Sequence, residues 1–528
     1  MIAGLSVAGL MLPEAVAYAA IAGLPPGRAL VAAVAGGLAY ALIGQSRFAI
    51  IAPTSSSAAI LAAALATLPG TASDKAMLAT AMVAIVAALF GVIALFRLGG
   101  LAGFIARPVL RGFAFGLAIT IILRQLPSLT GLHLAAPNIF LLVGRLASQT
   151  QAMSLYSILI GGAALAAILA IRRAGKLPGA LIVLGCGVGL ASLVDLPAHG
   201  VALVGPIAIV LDKPSLPNFG FQTWSHLVQL ALPLTLILFA ESWGTMRALA
   251  LRHGDTLSAN RELGALGGAN LVAALFQGMP VGAGFSAGSA SEAAGASSQL
   301  SAAVASFALA ALVVFAGSAV ARIPEPVLAA VVIAALTHAL AIGPFSRLFR
   351  IDRDQWIALA AVAGVIGFGV LNGMLIAVAL SVGVLLHRLS RPTISELGRI
   401  GTSHDFVDRA RHDDAGLVDG IAIYRPNAPL FFANADMALA AVGKLAVRHP
   451  AGTQVILSLE ESNDFDSSAV EVLAEFEKLI QNRGMVLRLA RTHDRVRELL
   501  TAAGLTELAS DAGFSVADSV EAAQRKGL

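Results

Sequence analysis

Near its start the chain reads Leu12-Pro13-Glu14-Ala15-Val16-Ala17-Tyr18-Ala19-Ala20-Ile21-Ala22-Gly23-Leu24-Pro25-Pro26. This stretch places one carboxylate, Glu14, inside a run that is otherwise apolar from residue 2 to residue 24. A charged group at membrane depth is costly, so it usually faces a cavity that is filled with water or lined by protein. The sequence therefore predicts a membrane protein organised around such a cavity.

The composition of the whole chain agrees with a membrane location. Of its 528 residues, 57% are hydrophobic and 12% are charged, whereas about 25% of the residues in a typical soluble protein are charged. The single cysteine, Cys186, excludes a disulfide framework within one chain and gives no indication of a cysteine-based metal site. We therefore look for function within the apolar part of the chain.

Apolar stretches of about 20 residues, long enough to cross a bilayer, recur from residue 2 to residue 387. No Lys or Arg precedes the first stretch, so we expect a retained span there and not a cleaved signal peptide. We predict about 14 spans, centred near Ala15, Gly36, Ile60, Val86, Gly116, Ala163, Val188, Leu236, Val272, Ala293, Ala311, Val332, Ala363 and Ala379.

Two of these spans are unusually short. Residues 53–68 open with Pro-Thr-Ser-Ser-Ser, and residues 285–300 open with Phe-Ser-Ala-Gly-Ser after a Gly-rich approach. Interrupted segments in corresponding positions of two halves indicate a transporter site. Half-helices that start at a cavity point their unpaired N–H groups at it and can bind an anion. The paired breaks predict an anion site, and two ordinary short helices on re-entrant loops are the alternative.

Basic residues near the span ends predict the orientation, because cytoplasmic loops are enriched in Lys and Arg. With the N-terminus inside, the inner loops contain Arg47, Arg97, Arg107, Arg111, Arg172, Arg173, Lys176, Arg247, Arg252, Arg261, Arg347, Arg350 and Arg353. The outer loops contain fewer: Arg28, Lys75, Arg124, Arg145, Lys213 and Arg322. We expect a multi-pass protein of the inner (plasma) membrane with both termini in the cytoplasm.

The composition changes after residue 387. We predict a membrane domain over residues 1–388, a charged linker over 389–415 and a soluble domain over 416–528. In the soluble domain, residues 420–424, 430–433, 454–459 and 485–490 are typical of strands, and residues 435–448, 468–482 and 494–503 are typical of helices. Strands that alternate with helices indicate an α/β fold.

The motifs resemble those of the sulfate permease (SulP) family of anion transporters, kin of prestin and pendrin. The resemblance rests on Leu12-Pro13-Glu14-Ala15 with Tyr18-Ala19, on Gly44-Gln45-Ser46-Arg47 and on Ala106-Arg107-Pro108-Val109-Leu110-Arg111-Gly112-Phe113. The C-terminal part resembles a STAS domain, shared with anti-sigma-factor antagonists, in residues 431–434, 455–457, 464–468 and 496–500.

The resemblance implies a polytopic α-helical membrane protein with two inverted repeats of seven spans each. A core domain (spans one to four and eight to eleven) would move as an elevator against a gate domain, and a cytoplasmic STAS domain would follow. The family also tends to form homodimers. The anion would lie between the starts of spans three and ten, and the implied binding residues are Glu14, Tyr18, Thr54, Ser55, Ser56, Glu241, Ser286, Ala287 and Gly288.

Two departures from the family pattern suggest how transport is driven. Many members have Gln at the position of Glu14, and many have Arg at the position of Ala287. Without that Arg the site loses a fixed positive charge, and ionised Glu14 would repel a bound anion. Protonation of Glu14 removes this repulsion, so we predict proton–anion symport with Glu14 as the proton carrier. A carboxyl that is only hydrogen-bonded within the bundle is the alternative.

Glu241 matches the family's acid in span eight. Thr245 lies one helical turn further on, so the two side chains share a helix face and offer oxygen ligands of the type that hard cations prefer. Sodium-coupled bicarbonate members have Asp and Thr at this spacing, so a cation site at Glu241 and Thr245 and sodium-coupled bicarbonate symport remain open. Glu reaches further than Asp, which argues against sodium.

In the STAS-like part, Ser467 occupies the phospho-acceptor position of the anti-sigma-factor antagonists. Asp and Ser are also good helix N-caps, and we favour this capping role for residues 466–468.

The sequence thus predicts a secondary active transporter of a small anion, either sulfate, a related inorganic anion or a dicarboxylate. An uncoupled anion channel, an exchanger and a membrane-anchored regulator are further alternatives. The sequence contains no nucleophile–base constellation, phosphate loop or zinc-ligand spacing. We therefore expect no enzyme activity, cofactor, metal or nucleic-acid partner. The expected partners are the lipid bilayer, the anion, protons or sodium, and a second copy of the chain.

Overall fold

The computed structural model describes residues 1–100, 107–132, 134, 136, 138–174, 179–206, 219–351 and 354–526. The chain divides into two compact units, Met1–Ser381 and Val382–Leu528. Ala106 of the family motif, and Lys176, Lys213 and Arg353 of the orientation prediction, lie outside the described residues.

The first unit is helical. Its helices are α1 (Ile2–Ala22), α2 (Pro26–Ile43), α3 (Ser55–Ala66), α4 (Ala72–Leu95), α5 (Arg107–Thr130), α6 (Ile139–Ser148), α7 (Leu155–Ala174), α8 (Gly179–Leu193), α9 (Phe221–His253), α10 (Ala259–Leu275), α11 (Phe285–Ala293), α12 (Leu300–Ala321), α13 (Glu325–Leu336), α14 (Gly343–Ile351), α15 (Gln355–Phe368) and α16 (Val370–Ser390). Eight helices in the described part of the chain are long and apolar enough to cross a membrane. All the predicted span centres lie within helices.

The order of elements occurs twice. The first eight helices, with the short strand β1 (Ile51–Ala52) before α3, are followed by eight more, with β2 (Gly282–Ala283) before α11. The two strands pair antiparallel, Ile51 opposite Ala283 and Ala52 opposite Gly282. Antiparallel pairing is what two repeats of opposite direction produce where they meet. The starts of the two short helices are thereby brought together.

The helices α3 and α11 are half-spans. At about 1.5 Å per residue they are about 18 Å and about 14 Å long, against about 30 Å for the hydrocarbon core of a bilayer. Pro53 and Pro280 interrupt the chain before them. A Cβ atom on Gly282 would lie 2.7 Å from the Leu238 side chain of α9, so β2 can pack this closely only with glycine.

Helices of the first unit pack in two groups. The core group consists of α1–α4 and α9–α12, and the gate group consists of α5–α8 and α13–α15 together with α16, whose Gly373 packs against Val365 of α15. Most packing occurs within each group, and the main contacts between the groups are those of α1 with α8 and α13. The predicted fold of two groups built from two inverted repeats therefore matches the packing of the helices.

The second unit is an α/β domain. Its strands are β3 (Ile394–Ile400), β4 (Phe406–Asp408), β5 (Ala415–Gly416), β6 (Ile421–Pro426), β7 (Gln454–Ser458) and β8 (Val486–Ala490). Its further helices are α17 (Ala435–Ala446), α18 (Ser467–Gln481), α19 (Asp494–Ala502), α20 (Thr506–Ser510) and α21 (Val516–Lys526). The sheet order is β4-β3-β6-β7-β8, with β5 also paired to β3, and β6, β7 and β8 run parallel.

The structure differs from the prediction at two places in this unit. Residues 389–415 were predicted to be a linker, but β3 and β4 lie within them, and Leu397 of β3 is buried opposite Ile423. The charged neighbours of Leu397 conceal the strand in the composition. Residues 430–433 are not a strand. They form a turn, in which the Asn434 side chain accepts a hydrogen bond from the Phe431 N–H (3.0 Å). The domain limits at residues 388 and 416 stay predictions.

Candidate functional site

A cavity of about 890 Å³ lies between the core and gate groups of the first unit. Its walls come mainly from α1, α3, α5, α9 and α11. Of the residues predicted for the binding and cation sites, the lining includes Glu14, Tyr18, Thr54, Ser55, Ser56, Glu241, Thr245, Ser286 and Ala287. Residues that are up to 273 positions apart in the chain (14 to 287) thus line one space.

Glu14 is buried at this cavity, with 8% of its surface exposed. Its Oε1 accepts a hydrogen bond of 3.0 Å from the hydroxyl of Ser286, the second residue of α11. Tyr18 lies one turn along α1 and interacts with the Ser55 hydroxyl. The carboxyl of α1 is therefore held at the start of the half-helix from the other repeat.

Glu241 of α9 has the corresponding arrangement at α3. The hydroxyl of Ser56, the second residue of α3, donates a hydrogen bond to its Oε2. The Thr54 and Ser56 hydroxyl oxygens are 3.0 Å apart, and Thr54 also interacts with Glu241. Thr245 lies one turn from Glu241 and lines the same cavity.

The two half-helices begin differently. Thr54 caps α3, because its hydroxyl accepts from the Ser57 N–H while the Ser57 hydroxyl accepts from the Thr54 N–H. Before α11 stands Gly284, and among the described residues no side chain caps this helix. The first N–H groups of a helix have no partner within it. At α11 the N–H groups of Ser286 and Ala287 are donors that an anion can use.

Gly288 differs from its predicted role as a binding residue. It is absent from the cavity lining, and its N–H already donates to the Gly284 carbonyl (3.1 Å). A Cβ at this position would lie 3.0 Å from Leu249 of α9. Gly288 therefore lets α11 pack against α9 and offers no donor to a ligand.

Three arginines also line the cavity: Arg107 and Arg111 of α5 and Arg247 of α9. All three are exposed, so they lie at its opening. From the sequence, Arg107 and Arg111 were predicted only to lie in the inner loops. Their spacing of four residues, which places both on one helix face, was the available signal. They give the opening a positive charge that attracts anions.

Comparisons with known proteins agree with this architecture. Residues 1–362 match the model of the sulfate permease family, and residues 414–523 match the STAS domain. A probable sulfate transporter of Mycobacterium tuberculosis is 34% identical over 96% of this chain and 91% of its own length. Human solute carrier family 26 member 6 is 29% identical over 83% of this chain and 61% of its own length.

This chain belongs to the sulfate permease family. It is a multi-pass membrane transporter and not an enzyme, as predicted. The fold agrees with that of the murine Solute Carrier 26 family member A9 in an inward-facing state, with a TM-score of 0.90 over 99% of this chain and 91% of the other at 19% identity. The transmembrane domain of the cyanobacterial bicarbonate transporter BicA gives 0.63 over 72% of this chain and 96% of the other, also at 19% identity.

In this member of the sulfate permease family, hydrogen bonds from core helices hold the backbone segment before α11. The Asn270 side chain of α10 accepts from the Val281 N–H (3.0 Å) and donates to the Val281 carbonyl (2.9 Å). The Ser242 hydroxyl of α9 accepts from the Ala283 N–H (2.9 Å). Buried backbone groups at membrane depth need such partners, and here core helices supply them. Asn270 was not among the residues predicted from the sequence, although an amide within an apolar span was a signal that the sequence contained.

Glu292 lies at the far end of α11 and ties this helix to α9. Its carboxylate accepts from Arg252 at 2.9 Å and lies 2.9 Å from the His253 Nε2. The residue is not part of the cavity lining. These contacts give Glu292 a structural role in the packing of α11 against α9.

In the STAS unit, Asp466 is the N-cap of α18. Its Oδ1 accepts from the Ala469 N–H (2.8 Å) and its Oδ2 accepts from the Phe432 N–H (2.7 Å). Ser467 is the first residue of the helix and is exposed. The favoured capping interpretation thus applies to Asp466, and phosphorylation of Ser467 stays an untested prediction.

Proposed function

We propose that the chain is a secondary active transporter that moves a small anion, sulfate or a related inorganic or dicarboxylate anion, together with protons. The observation that carries the proposal is the hydrogen bond between Glu14 and Ser286 at the uncapped start of α11. An anion at these N–H groups would lie beside the Glu14 carboxyl. The names of the similar transporters favour sulfate as the anion.

The charges near the binding position determine how the anion is accommodated. Ala287 leaves the start of α11 without a fixed positive side chain, and the three arginines lie at the opening of the cavity. An ionised Glu14 would repel an anion at contact distance, and the repulsion is strong where water is largely excluded. Protonation of Glu14 removes it, so proton binding and anion binding favour each other.

We further propose an elevator movement of the core group against the gate group. The supporting observation is that the main contacts between the groups involve only α1, α8 and α13, so few contacts change when the groups slide. The pairing of β1 with β2 would keep both half-helices together during this movement. We place the protein in the inner membrane as a homodimer, with both termini and the STAS domain in the cytoplasm.

A sodium-coupled bicarbonate symporter is the second candidate, because Glu241 and Thr245 both present oxygen atoms to the cavity. An uncoupled channel or exchanger is the third, and it would need no protonatable group at the anion.

The test uses the full chain in proteoliposomes with labelled sulfate. Glu14→Gln keeps the size and polarity of the side chain but cannot carry a proton. We expect this variant to lose the stimulation of uptake by an inward proton gradient, while sulfate exchange at equal pH persists. Undiminished stimulation would refute the role of Glu14. Stimulation by sodium at fixed pH would favour the second candidate.

A further inference from the structure

Two acid–serine pairs at the cavity are related by the internal repeat. Glu14 belongs to the first helix of the first repeat and binds Ser286, the second residue of α11 in the second repeat. Glu241 belongs to the first helix of the second repeat and binds Ser56, the second residue of α3 in the first repeat. The pairs Glu14–Ser286 and Glu241–Ser56 therefore occupy equivalent positions in the two repeats. Each half-helix start therefore has one carboxyl group from the opposite repeat.

These carboxyls are the groups that can change the charge of the described lining. On α5 and α9 the other ionisable groups are Arg107, Arg111 and Arg247, whose guanidinium groups keep their charge in proteins. On α1 the other group is Tyr18, whose phenol is neutral at neutral pH. The described lining residues of α3, α11 and α13 are not acidic or basic.

Each pair can retain its hydrogen bond in both protonation states. A serine hydroxyl donates to an ionised carboxylate and can accept from a protonated carboxyl, because it has one O–H and two lone pairs. Each carboxylate, when ionised, also lies near the positive end of a half-helix. The ionised acids thus supply negative charge beside the position that a substrate anion would take.

We propose that the site exchanges two carboxylate charges for one divalent anion, so that two protons accompany each anion through the membrane. This inference rests on the proposed proton symport and adds Glu241 as the second proton carrier. The empty carrier holds Glu14 and Glu241 ionised, with a charge of minus two. The loaded carrier holds both acids protonated and the dianion at the uncapped start of α11, which is again minus two. Both protons are released with the anion on the other side.

Charge balance gives this site a preference for dianions. When both acids are protonated and a monovalent anion is bound, the net charge of the site is minus one, whereas that of the empty site is minus two. A dianion restores the full charge. Sulfate and dicarboxylates belong to this class. Net charge does not change between the loaded and empty carrier, so the transport cycle is electrically neutral.

The deciding measurement is the accumulation ratio of sulfate at steady state. Full-length protein in sodium-free proteoliposomes receives a gradient of one pH unit, acid outside, with the membrane potential clamped by potassium and valinomycin. Two protons per sulfate predict an accumulation of about 100-fold that does not respond to the clamp. One proton predicts about 10-fold at zero potential, with a strong response to voltage. This second result would overturn the two-proton inference and leave the proposed symport intact.

The same assay gives a different result if the proposed function itself is wrong. Absence of accumulation under any proton gradient would overturn both proposals. Accumulation that appears only when sodium is added would assign Glu241 to a cation site and overturn the second proton.

A variant assigns the second proton to its residue. Glu241→Gln imitates the protonated acid and cannot carry a proton, so we expect accumulation of sulfate to fall from about 100-fold to about 10-fold and to become voltage-dependent. An unchanged accumulation ratio in this variant would refute Glu241 as the carrier of the second proton. Asp195→Asn, which neutralises an exposed carboxylate outside the cavity, serves as the matched control and should retain about 100-fold accumulation.

Discussion

The start of α11 in the membrane unit and the start of α18 in the STAS unit each have a carboxylate close to the first N–H groups of a helix. The two carboxylates come from different places in the chain. At α18 the residue before the helix is Asp466, whose carboxylate accepts the Ala469 and Phe432 N–H groups. At α11 the preceding residue is Gly284, and the carboxylate nearby is Glu14, which belongs to another helix and reaches α11 through the Ser286 hydroxyl.

The difference teaches how a helix start becomes a binding site. At both starts the first N–H groups have no partner within the helix, and the positive end of the helix dipole favours a negative charge. A cap from the adjoining residue satisfies them permanently, because it cannot move away. A carboxyl group from another helix leaves the N–H groups available and can itself be neutralised by a proton. Converting each start into the other type tests this explanation.

The largest effect is expected from Gly284→Asp, which gives α11 the type of cap that α18 has. Gly284 has φ −73° and ψ 142°, which other residues adopt, and a Cβ there would lie 3.8 Å from Thr54, an ordinary contact. A capping side chain stabilises a helix start by about 1–2 kcal/mol, a factor of about 5–30. The added carboxylate would also repel the anion. We expect sulfate uptake to fall by more than about tenfold.

Gly284→Ser is the matched control for this variant, because it adds a neutral cap without the charge. It should reduce uptake less than Gly284→Asp does. Equal uptake by Gly284→Asp and the unaltered protein would show that the anion does not use the start of α11.

A smaller effect is expected from Ala287→Arg, which supplies a fixed positive charge beside the same N–H groups. The charge would attract the anion without the need to protonate Glu14. We expect the stimulation of sulfate uptake by a proton gradient to fall by about fivefold, the equivalent of about 1 kcal/mol. Ala287→Met, a long side chain without charge, separates this effect from crowding, since Ala287 is buried. A drop of the same size in Ala287→Met would attribute the loss to packing.

The sequence was sufficient for features that depend on local pattern. The spans follow from apolar length. The half-helices follow from the combination of short apolar runs with Pro53 and Pro280, which interrupt the backbone where helices would otherwise continue. The acid Glu14 was recognisable because a charge in an apolar run is rare. These features need no knowledge of neighbouring helices.

Features that depend on how helices rotate against each other were not predictable in this way. The position of Arg111 at the cavity opening, and not only at the membrane surface, follows from the packing of α5 in the gate group. The packing of Gly288 against α9 follows from the direction in which α11 leaves β2. The strand β3 was missed because Leu397 stands among charged residues and becomes part of the core only through its pairing with β6.

The smallest effect on transport is expected from Asp466→Ala, which makes the start of α18 resemble that of α11. The variant loses both hydrogen bonds of the Asp466 carboxylate, and no serine-bound carboxylate from another helix replaces it among the described residues. Loss of such a cap costs about 1 kcal/mol, which corresponds to about fivefold faster amide exchange at the start of α18. Hydrogen exchange followed by mass spectrometry should show this change in the peptides that contain Ala469 and Phe432, while sulfate uptake stays unchanged. If uptake fell as strongly as in Gly284→Asp, the α18 start would have to be a functional site as well, and the contrast between a fixed cap and an exchangeable carboxyl would not hold.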